Sequence, residues 1–238
     1  MSVALPEGEE KVRAVRAMFD AIAPRYDLVN RVMTFGLDVR WRRRAVRALD
    51  AGPGATVIDL ACGTGDLCRD LTAAGYRPVG VDLSLGMLRH AHTDAPLVQA
   101  DALRLPVPDG AVDGVVSGFA LRNFMALAPV FAELARVVRP GGRIALLDVA
   151  APTNPVLHAG HAVYFGRVVS RIGGALSDPA AYRYLPKSVA YLPPPPEIVA
   201  MLEASGFGAV QRTALSGGIS QLFVATRLVT TAAERGAP

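Results

Sequence analysis

Apolar positions recur along the chain in two registers. Residues 11–23 and 39–49 carry the helical one, with Met18, Phe19 and Ile22 on one stripe and Trp41, Ala45 and Leu49 on another. The stretch between them, APRYDLVNRVMTFGLD, reads as a connector. From Thr56 the pattern shortens into strand-like runs: Thr56 to Leu60, Pro78 to Val81, about Leu97 to Ala100, Val112 to Ser117, and Arg143 to Val149. Helical segments separate them, at about Asp66 to Ala74, Gly86 to Ala91 and Ala126 to Val138, and the turn Pro140-Gly141-Gly142 precedes the fifth strand. Such alternation predicts an α/β domain with a parallel sheet and right-handed crossovers. After Val149 it stops. Helices are expected over about 152–195, then a helix from Pro193 to Ser205 and two strands, Ala209 to Leu215 and Ser220 to Thr226, around Gly217-Gly218. That hairpin gives a seven-stranded, mostly parallel sheet with a terminal antiparallel strand.

Composition narrows this picture. Of 238 residues, 51% are hydrophobic and 19% charged, and the mean hydropathy of +0.31 is too apolar for a disordered chain. The length suits one core over 51–227, preceded by helices in 1–50 and followed by a frayed tail at 228–238. The longest apolar runs, such as Ile144 to Leu147, fall far short of the roughly 18 residues needed to span a bilayer. The opening MSVALPEGEEKVRAV places charges where a signal peptide needs an apolar core, so a cytoplasmic protein is expected. Cys62 and Cys68 lack the spacing and companions of a zinc site and read as packing residues; no metal is expected. The formal charge of +4 is concentrated, with Arg40, Arg42, Arg43, Arg44 and Arg47 in one segment.

Three successive strands end in a carboxylate: Asp59, Asp82 and Asp101. Gly63 and Gly65 follow the first, where glycines let backbone approach a ligand at the carboxyl end of a parallel strand. Asp82 lies 17 residues beyond Gly65, near the offset of about 20 at which an acid meets ribose hydroxyls. Helix capping alone would explain single aspartates, but not this set with the glycines. An acidic rim suits a nucleoside and repels polyphosphate. Cys68 stands where a dinucleotide fingerprint needs its third glycine, and Asp66 puts negative charge where a pyrophosphate would sit. Tyr184 and Lys187 are three apart rather than the four of a short-chain reductase, and no Walker loop is present. A cationic sulfonium cofactor without phosphate, S-adenosylmethionine, fits these residues better.

DLACGTGDL, the Asp82 strand end and ELARVVRPGGRIALLD resemble the Rossmann-like class I methyltransferase fold. The segments FDAIAPRYDLVNRVMTFGLDVRWRRRAV, SGFALRNF and AYRYLPKSVAYLPPPPEIVAMLEASGF, with LSGGI, are similar to the C-methyltransferases of menaquinone and ubiquinone biosynthesis, over about residues 17–227. The resemblance implies a cofactor site of Asp59, Gly63, Thr64, Gly65, Asp82, Leu83, Met87, Asp101, Ala102, Ser117 and Gly118. Residues 1–50 become a cap on the substrate side, and the helical insertion a cover for a prenylated acceptor. The reaction implied is methylation of a ring carbon in a demethylated quinol, where deprotonating a ring hydroxyl pushes electron density onto the adjacent carbon. Candidate catalytic residues are Arg122, Asn123 and Tyr184, with Tyr26, Phe119, Arg122 and Tyr184 about the acceptor.

Plainer roles stand beside these. Arg122 could bridge to Asp148 or Asp113, Tyr26 and Tyr184 could be core residues with one bonded hydroxyl, and His158 and His161 read as surface or lid residues. The chain departs from the family at Asp38, where a histidine is usual, and at Gly118, where a serine commonly stands; Ala120, Asp148 and Gln221 also differ. The arginine run around Trp41 suits either a solvated helix face or transient contact with an anionic membrane. No nucleic-acid motif accompanies it. A homodimer is one assembly open to the chain. Two rival readings are a tailoring methyltransferase for a soluble aromatic metabolite and a non-catalytic protein that binds cofactor or quinone.

Overall fold

The structure, a computed structural model, describes residues 8–152, 154–164 and 188–229. Three helices open the described chain: α1 (Gly8–Ile22), α2 (Tyr26–Met33) and α3 (Leu37–Leu49). The sheet then begins with β1 (Thr56–Leu60), followed by α4 (Asp66–Ala73), β2 (Arg77–Asp82), α5 (Leu85–Arg89) and β3 (Leu97–Gln99). After these come β4 (Val112–Gly118), α6 (Leu127–Val137), β5 (Val138–Val149) and α7 (Pro155–Val163). The last described elements are α8 (Pro195–Ala204), β6 (Phe207–Leu215) and β7 (Ser220–Arg227). The insertion expected over 152–195 is described only at its ends, and Tyr184 and Lys187 lie outside the described residues.

The seven strands run in the order β3-β2-β1-β4-β5-β7-β6. All pairs from β3 to β5 are parallel, and β7 runs antiparallel to both its neighbours, as the alternation and the final hairpin predict. Side chains alternate between two buried faces. Ile58, Leu60, Val115, Ile144 and Leu146 pack with Phe131 and Leu134 of α6 and Ile198 and Leu202 of α8. Val57, Val116, Ala145 and Leu147 face Trp41, Ala45 and Leu49 of α3 and Leu67 and Leu71 of α4.

Two elements differ from the sequence reading. Where a connector is expected, α2 forms a helix, because Tyr26, Asn30 and Met33 line a cavity while only Val29 is fully buried. A helix that turns polar side chains toward a cavity loses the apolar period that would announce it. The second is β5, which starts at Val138 rather than Arg143. Its pairing with β4 jumps from Val112↔Val138 to Gly114↔Arg143, so Pro140-Gly141-Gly142 forms a bulge within one strand.

Helices α1 and α2 lie over the carboxyl ends of the strands. Asp20 of α1 accepts hydrogen bonds from Ser84 Oγ (2.5 Å) and from the Gly86 amide (2.8 Å) at the start of α5. A Cβ at Gly86 would come within 2.8 Å of the Asp20 Cα, so this close approach needs glycine. Further along α1's docking face, Lys11 donates to the Phe124 carbonyl (2.8 Å) and sits 3.8 Å over the Tyr191 ring.

Candidate functional site

Between β1 and α4 the backbone turns sharply on itself. Ala61, Gly63 and Gly65 have φ of +56°, +54° and +82°, and Gly65 is the residue from which α4 starts. The turn points the Gly63 amide at Asp82 Oδ2 (2.8 Å), while Asp82 Oδ1 accepts from the Ser84 amide (2.8 Å). Asp82 is thus held by backbone donors at the end of β2; burial nonetheless pushes its carboxyl above the ordinary range. Ser84 caps α5 through the Met87 amide (3.0 Å). Asp101 turns back on its own chain, accepting from the Leu103 amide (2.9 Å).

These groups border a cavity of about 130 Å³. Gly63, Asp82, Leu83, Met87, Asp101, Ala102 and Gly118 line it, roofed by Val12, Val15 and Phe19 of α1. The expected cofactor residues are therefore largely brought together. Two are not on its walls or on those of its neighbour: Ser117 donates instead to the Leu60 carbonyl (2.8 Å) between strands, and a Cβ at Gly65 would meet Thr93 at 2.7 Å.

A second cavity, about 420 Å³, adjoins the first. The two share Tyr26, Ala61, Gly63, Gly118 and Phe119 as common walls. Most of its lining is apolar, including Met33, Leu37, Trp41, Val149 and Ile219. At its floor Asp59 is fully buried; Cys68 Sγ donates to Oδ2 (3.3 Å), and Oδ1 has no partner. Burial pushes this carboxyl up to about 7. The thiol at Cys68 thus supports a site carboxylate rather than only filling space. Thr64 donates to Asp27 of α2, joining cap to turn.

Arg122 follows β4 through Phe119, whose φ is +62°. Its guanidinium pairs with the fully buried Asp148, donates to the Phe119 carbonyl (2.7 Å) through Nη1 and reaches Ser188 Oγ (3.1 Å) through Nε. The bridge to Asp148 is therefore present, that to Asp113 is not: Asp113 pairs with Arg139 (2.7 Å). Arg122 lines the larger cavity and Asn123 the smaller. Tyr26 is bonded to Asn30, and burial raises its phenol above the usual value.

The sequence model of the ubiE/COQ5 methyltransferase family matches residues 7–227. The chain belongs to that family. A protein of Syntrophotalea carbinolica named "Ubiquinone/menaquinone biosynthesis C-methyltransferase UbiE" is 42% identical over 221 residues, covering 89% of this chain and 93% of its own. A "Demethylmenaquinone methyltransferase" of Thermus thermophilus is 43% identical, covering 88% and 100%. Among solved structures, the Haemonchus contortus phosphoethanolamine N-methyltransferase 2 in complex with S-adenosyl-L-methionine shares the fold. Its TM-score is 0.58 at 14% identity, over 79% of this chain and 52% of that one.

Several site residues of this methyltransferase escaped the sequence reading. Asp27, Asn30 and Thr34 line the larger cavity; the spacing Tyr26, Asn30, Thr34 is helical and was the available signal. The arginine run is not one surface. Arg42 turns inward, lining the cavity and pairing with Asp38 (2.5 Å), Asp66 (2.8 Å) and Asp70 (3.4 Å), while Arg40, Arg43, Arg44 and Arg47 remain exposed. Trp41 is buried too, with Nε1 donating to Ser216 Oγ (2.9 Å), because α3 must bury one side against the sheet. Gln221 lies away from the cavity walls, bonded to Arg212 (2.9 Å) and the Val149 carbonyl (3.2 Å). Among the described residues no helix is long and apolar enough to cross a membrane.

Proposed function

We propose that this methyltransferase transfers a methyl group from S-adenosylmethionine to a ring carbon of a demethylated, prenylated quinol, of the kind named by its relatives. The cofactor would leave as S-adenosylhomocysteine, and the hydrogen on that carbon would leave as a proton to water as the ring re-aromatises. The observation that carries this reading is the pair of cavities, a small one bordered by the strand-end carboxylates Asp82 and Asp101 and a larger one with a mostly apolar lining and Asp59 in its wall, joined at Tyr26, Gly63 and Phe119.

The residues present fit the cofactor. The unpartnered Asp59 Oδ1 suits an ammonium group, and a turn of tight backbone with carboxylates at the strand ends suits an aminoacyl group and a nucleoside. In this reading Asp82 holds ribose hydroxyls, Asp101 and Ala102 meet the base, and Asp59, Gly63 and Thr64 hold the amino-acid end. When bound, the cofactor supplies an electrophilic methyl on a sulfonium. The protein supplies position and charge. Arg122 keeps Nη2 without a protein partner among the described residues, a donor for the ring oxygen as its proton leaves to water. Asp148 fixes that guanidinium and so makes Arg122 a positioned cation rather than a base. Tyr26, whose phenol stays protonated, orients the ring by donating a hydrogen bond; Asn123 stands across the shared wall. Phe119, Trp41 and Ile219 keep water out. Tyr184 belongs to the same proposal from the sequence alone, as does a peripheral membrane contact through Arg40, Arg43, Arg44 and Arg47.

Labelled S-adenosylmethionine with a short-chain demethylmenaquinol tests the reading: label is expected on the ring carbon. Cofactor binding without transfer to any quinol or phenol overturns it in favour of a binding protein. Faster transfer to water-soluble phenols favours the tailoring reading, to which the Gln221 departure lends nothing, since that residue is off the cavity.

A further inference from the structure

One buried cation takes no part in the site as described. Lys11 of α1 is 4% exposed and lines neither cavity, so it is not a catalytic residue. Its Nζ donates to the Phe124 carbonyl and lies over the Tyr191 ring, and no carboxylate pairs with it among the described residues. Burial pushes its ammonium below the usual lysine value. Taking an ammonium out of water without a counter-charge is unfavourable, and one carbonyl and one ring face return only part of that loss. A methionine of similar length would fill the same space without it. The lysine therefore points to a task beyond packing.

Both of its partners lead to Arg122. Phe124 closes the short turn Leu121–Asn123, whose middle residue is Arg122. Tyr191 ends a second short turn, Val189–Tyr191, and Ser188, from which that turn starts, accepts from Arg122 Nε (3.1 Å). The two turns pack on each other. Lys11 is thus fastened to both segments that hold the guanidinium.

The opposite end of α1 is anchored separately, where Asp20 meets Ser84 and Gly86 and Ile22 packs with Met87. Lys11 sits about 14 Å along the helix from Asp20. Between these two fastenings lie Val12, Val15 and Phe19, the roof of the smaller cavity. A molecule seated in that cavity lies against the stretch of α1 that the two fastenings span.

We propose that Lys11 is a positioning residue: it ties the roof of the cofactor cavity to the two turns that hold Arg122, so that filling this cavity also sets the guanidinium against the acceptor. The proposal rests on the reading of Arg122 as the cation that meets the ring oxygen, but the tie between α1 and the turns needs no acceptor.

Steady-state kinetics with a short-chain demethylmenaquinol and amide hydrogen exchange, both on the full chain, test it. Lys11→Met is expected to lower kcat about tenfold at saturating S-adenosylmethionine and to leave KM for the acceptor within about twofold, the pattern of a contact realised in the transition state. Lys11→Arg, which keeps a cation and its donors, should recover most of the loss. With Arg122→Gln already present, Lys11→Met should lower kcat by less than about twofold more, because no guanidinium is left to place. In hydrogen exchange, S-adenosylhomocysteine should protect the amides of Asn123 and Phe124, which close their turn onto the Ala120 and Leu121 carbonyls, in wild type and not in Lys11→Met. Unchanged kcat in Lys11→Met overturns the proposal, as do an undiminished loss on top of Arg122→Gln and equal protection of those amides in wild type and variant. A loss of kcat that tracks a lower urea midpoint and is not recovered by Lys11→Arg also overturns it, since packing alone would then be at work. Cofactor-dependent protection that Lys11→Met abolishes, with no methyl transfer by wild type, strikes the acceptor reading and leaves the coupling standing.

Discussion

At the scale of single residues, the site is a set of carboxylates kept in unusual surroundings. Asp82 is reached by two backbone amides and borders the smaller cavity, so Asp82→Ala should weaken cofactor binding by about 1–3 kcal/mol through lost hydrogen bonds, read by calorimetric titration. Unchanged affinity would misplace the nucleoside. Burial raises Asp59 from 3.8 to about 7, so the folded protein retains a proton that the unfolded chain releases. Its contribution to stability is therefore greatest below the unfolded value near 3.8 and declines as pH rises to about 7. Asp113 and Glu133, held low by hydrogen bonds from Arg139 and Arg136, act with opposite sign, their contributions being lost as pH falls below 3.8 and 4.5 respectively. Urea midpoints at pH 5 and 7.5 should show wild type gaining more from acid than Asp59→Asn, which keeps only the like-signed contribution of the buried Asp82, and an equal pH response of both would refute the assignment. Strand-end acids were legible in the sequence because a parallel sheet places its ligand there. The unpartnered Oδ1 was not, since satisfaction depends on what other elements bring near.

Among elements, α1 and α2 are tied to the core by an apolar cluster of Ile22, Ala23 and Val29 around Met87 of α5 and by a few polar contacts. Asp20 alone meets both Ser84 and the Gly86 amide. Asp20→Ala should cost about 1–2 kcal/mol of stability and raise hydrogen exchange across α1. Gly86→Ala tests the same docking from the other side, because its new Cβ would press on Asp20. Cofactor affinity should fall in both, and normal affinity with a mobile α1 would show that the roof is dispensable. The alternation of strands and helices was readable to within a few residues wherever apolar period and burial coincide, as in β1, β4 and α6. It failed at α2, whose inner positions Tyr26, Asn30 and Thr34 face a cavity. It also failed at the start of β5, where the pairing of Val138 with Val112 depends on a neighbouring strand.

For the molecule as a whole, Arg42 joins the helical cap to the turn that follows β1. Its three carboxylate partners come from α3 and α4, and Asp66 is the first residue of α4. Removing the guanidinium would leave Asp38, Asp66 and Asp70 in mutual repulsion with little solvent. Arg42→Ala should therefore destabilise the protein by about 3 kcal/mol, with Arg42→Lys recovering part of it; a loss below about 0.5 kcal/mol in chemical denaturation would deny it this role. From an identical helical spacing, Arg42 goes inward while Arg40, Arg43, Arg44 and Arg47 stay in water. Only the packing of α3 against the sheet sorts them. By itself the sequence determined the strand order's raw material, the acid-and-glycine edge and the family, because each depends on residue types at short, regular separations. The tertiary structure alone decided that two cavities share one wall, that Arg122 is fastened to Asp148 and that Tyr164 meets Met33 in the wall of the larger cavity. Those facts join residues far apart in the chain, 131 positions in the case of Met33 and Tyr164, and such meetings are set by how the helices close over the sheet rather than by any local pattern.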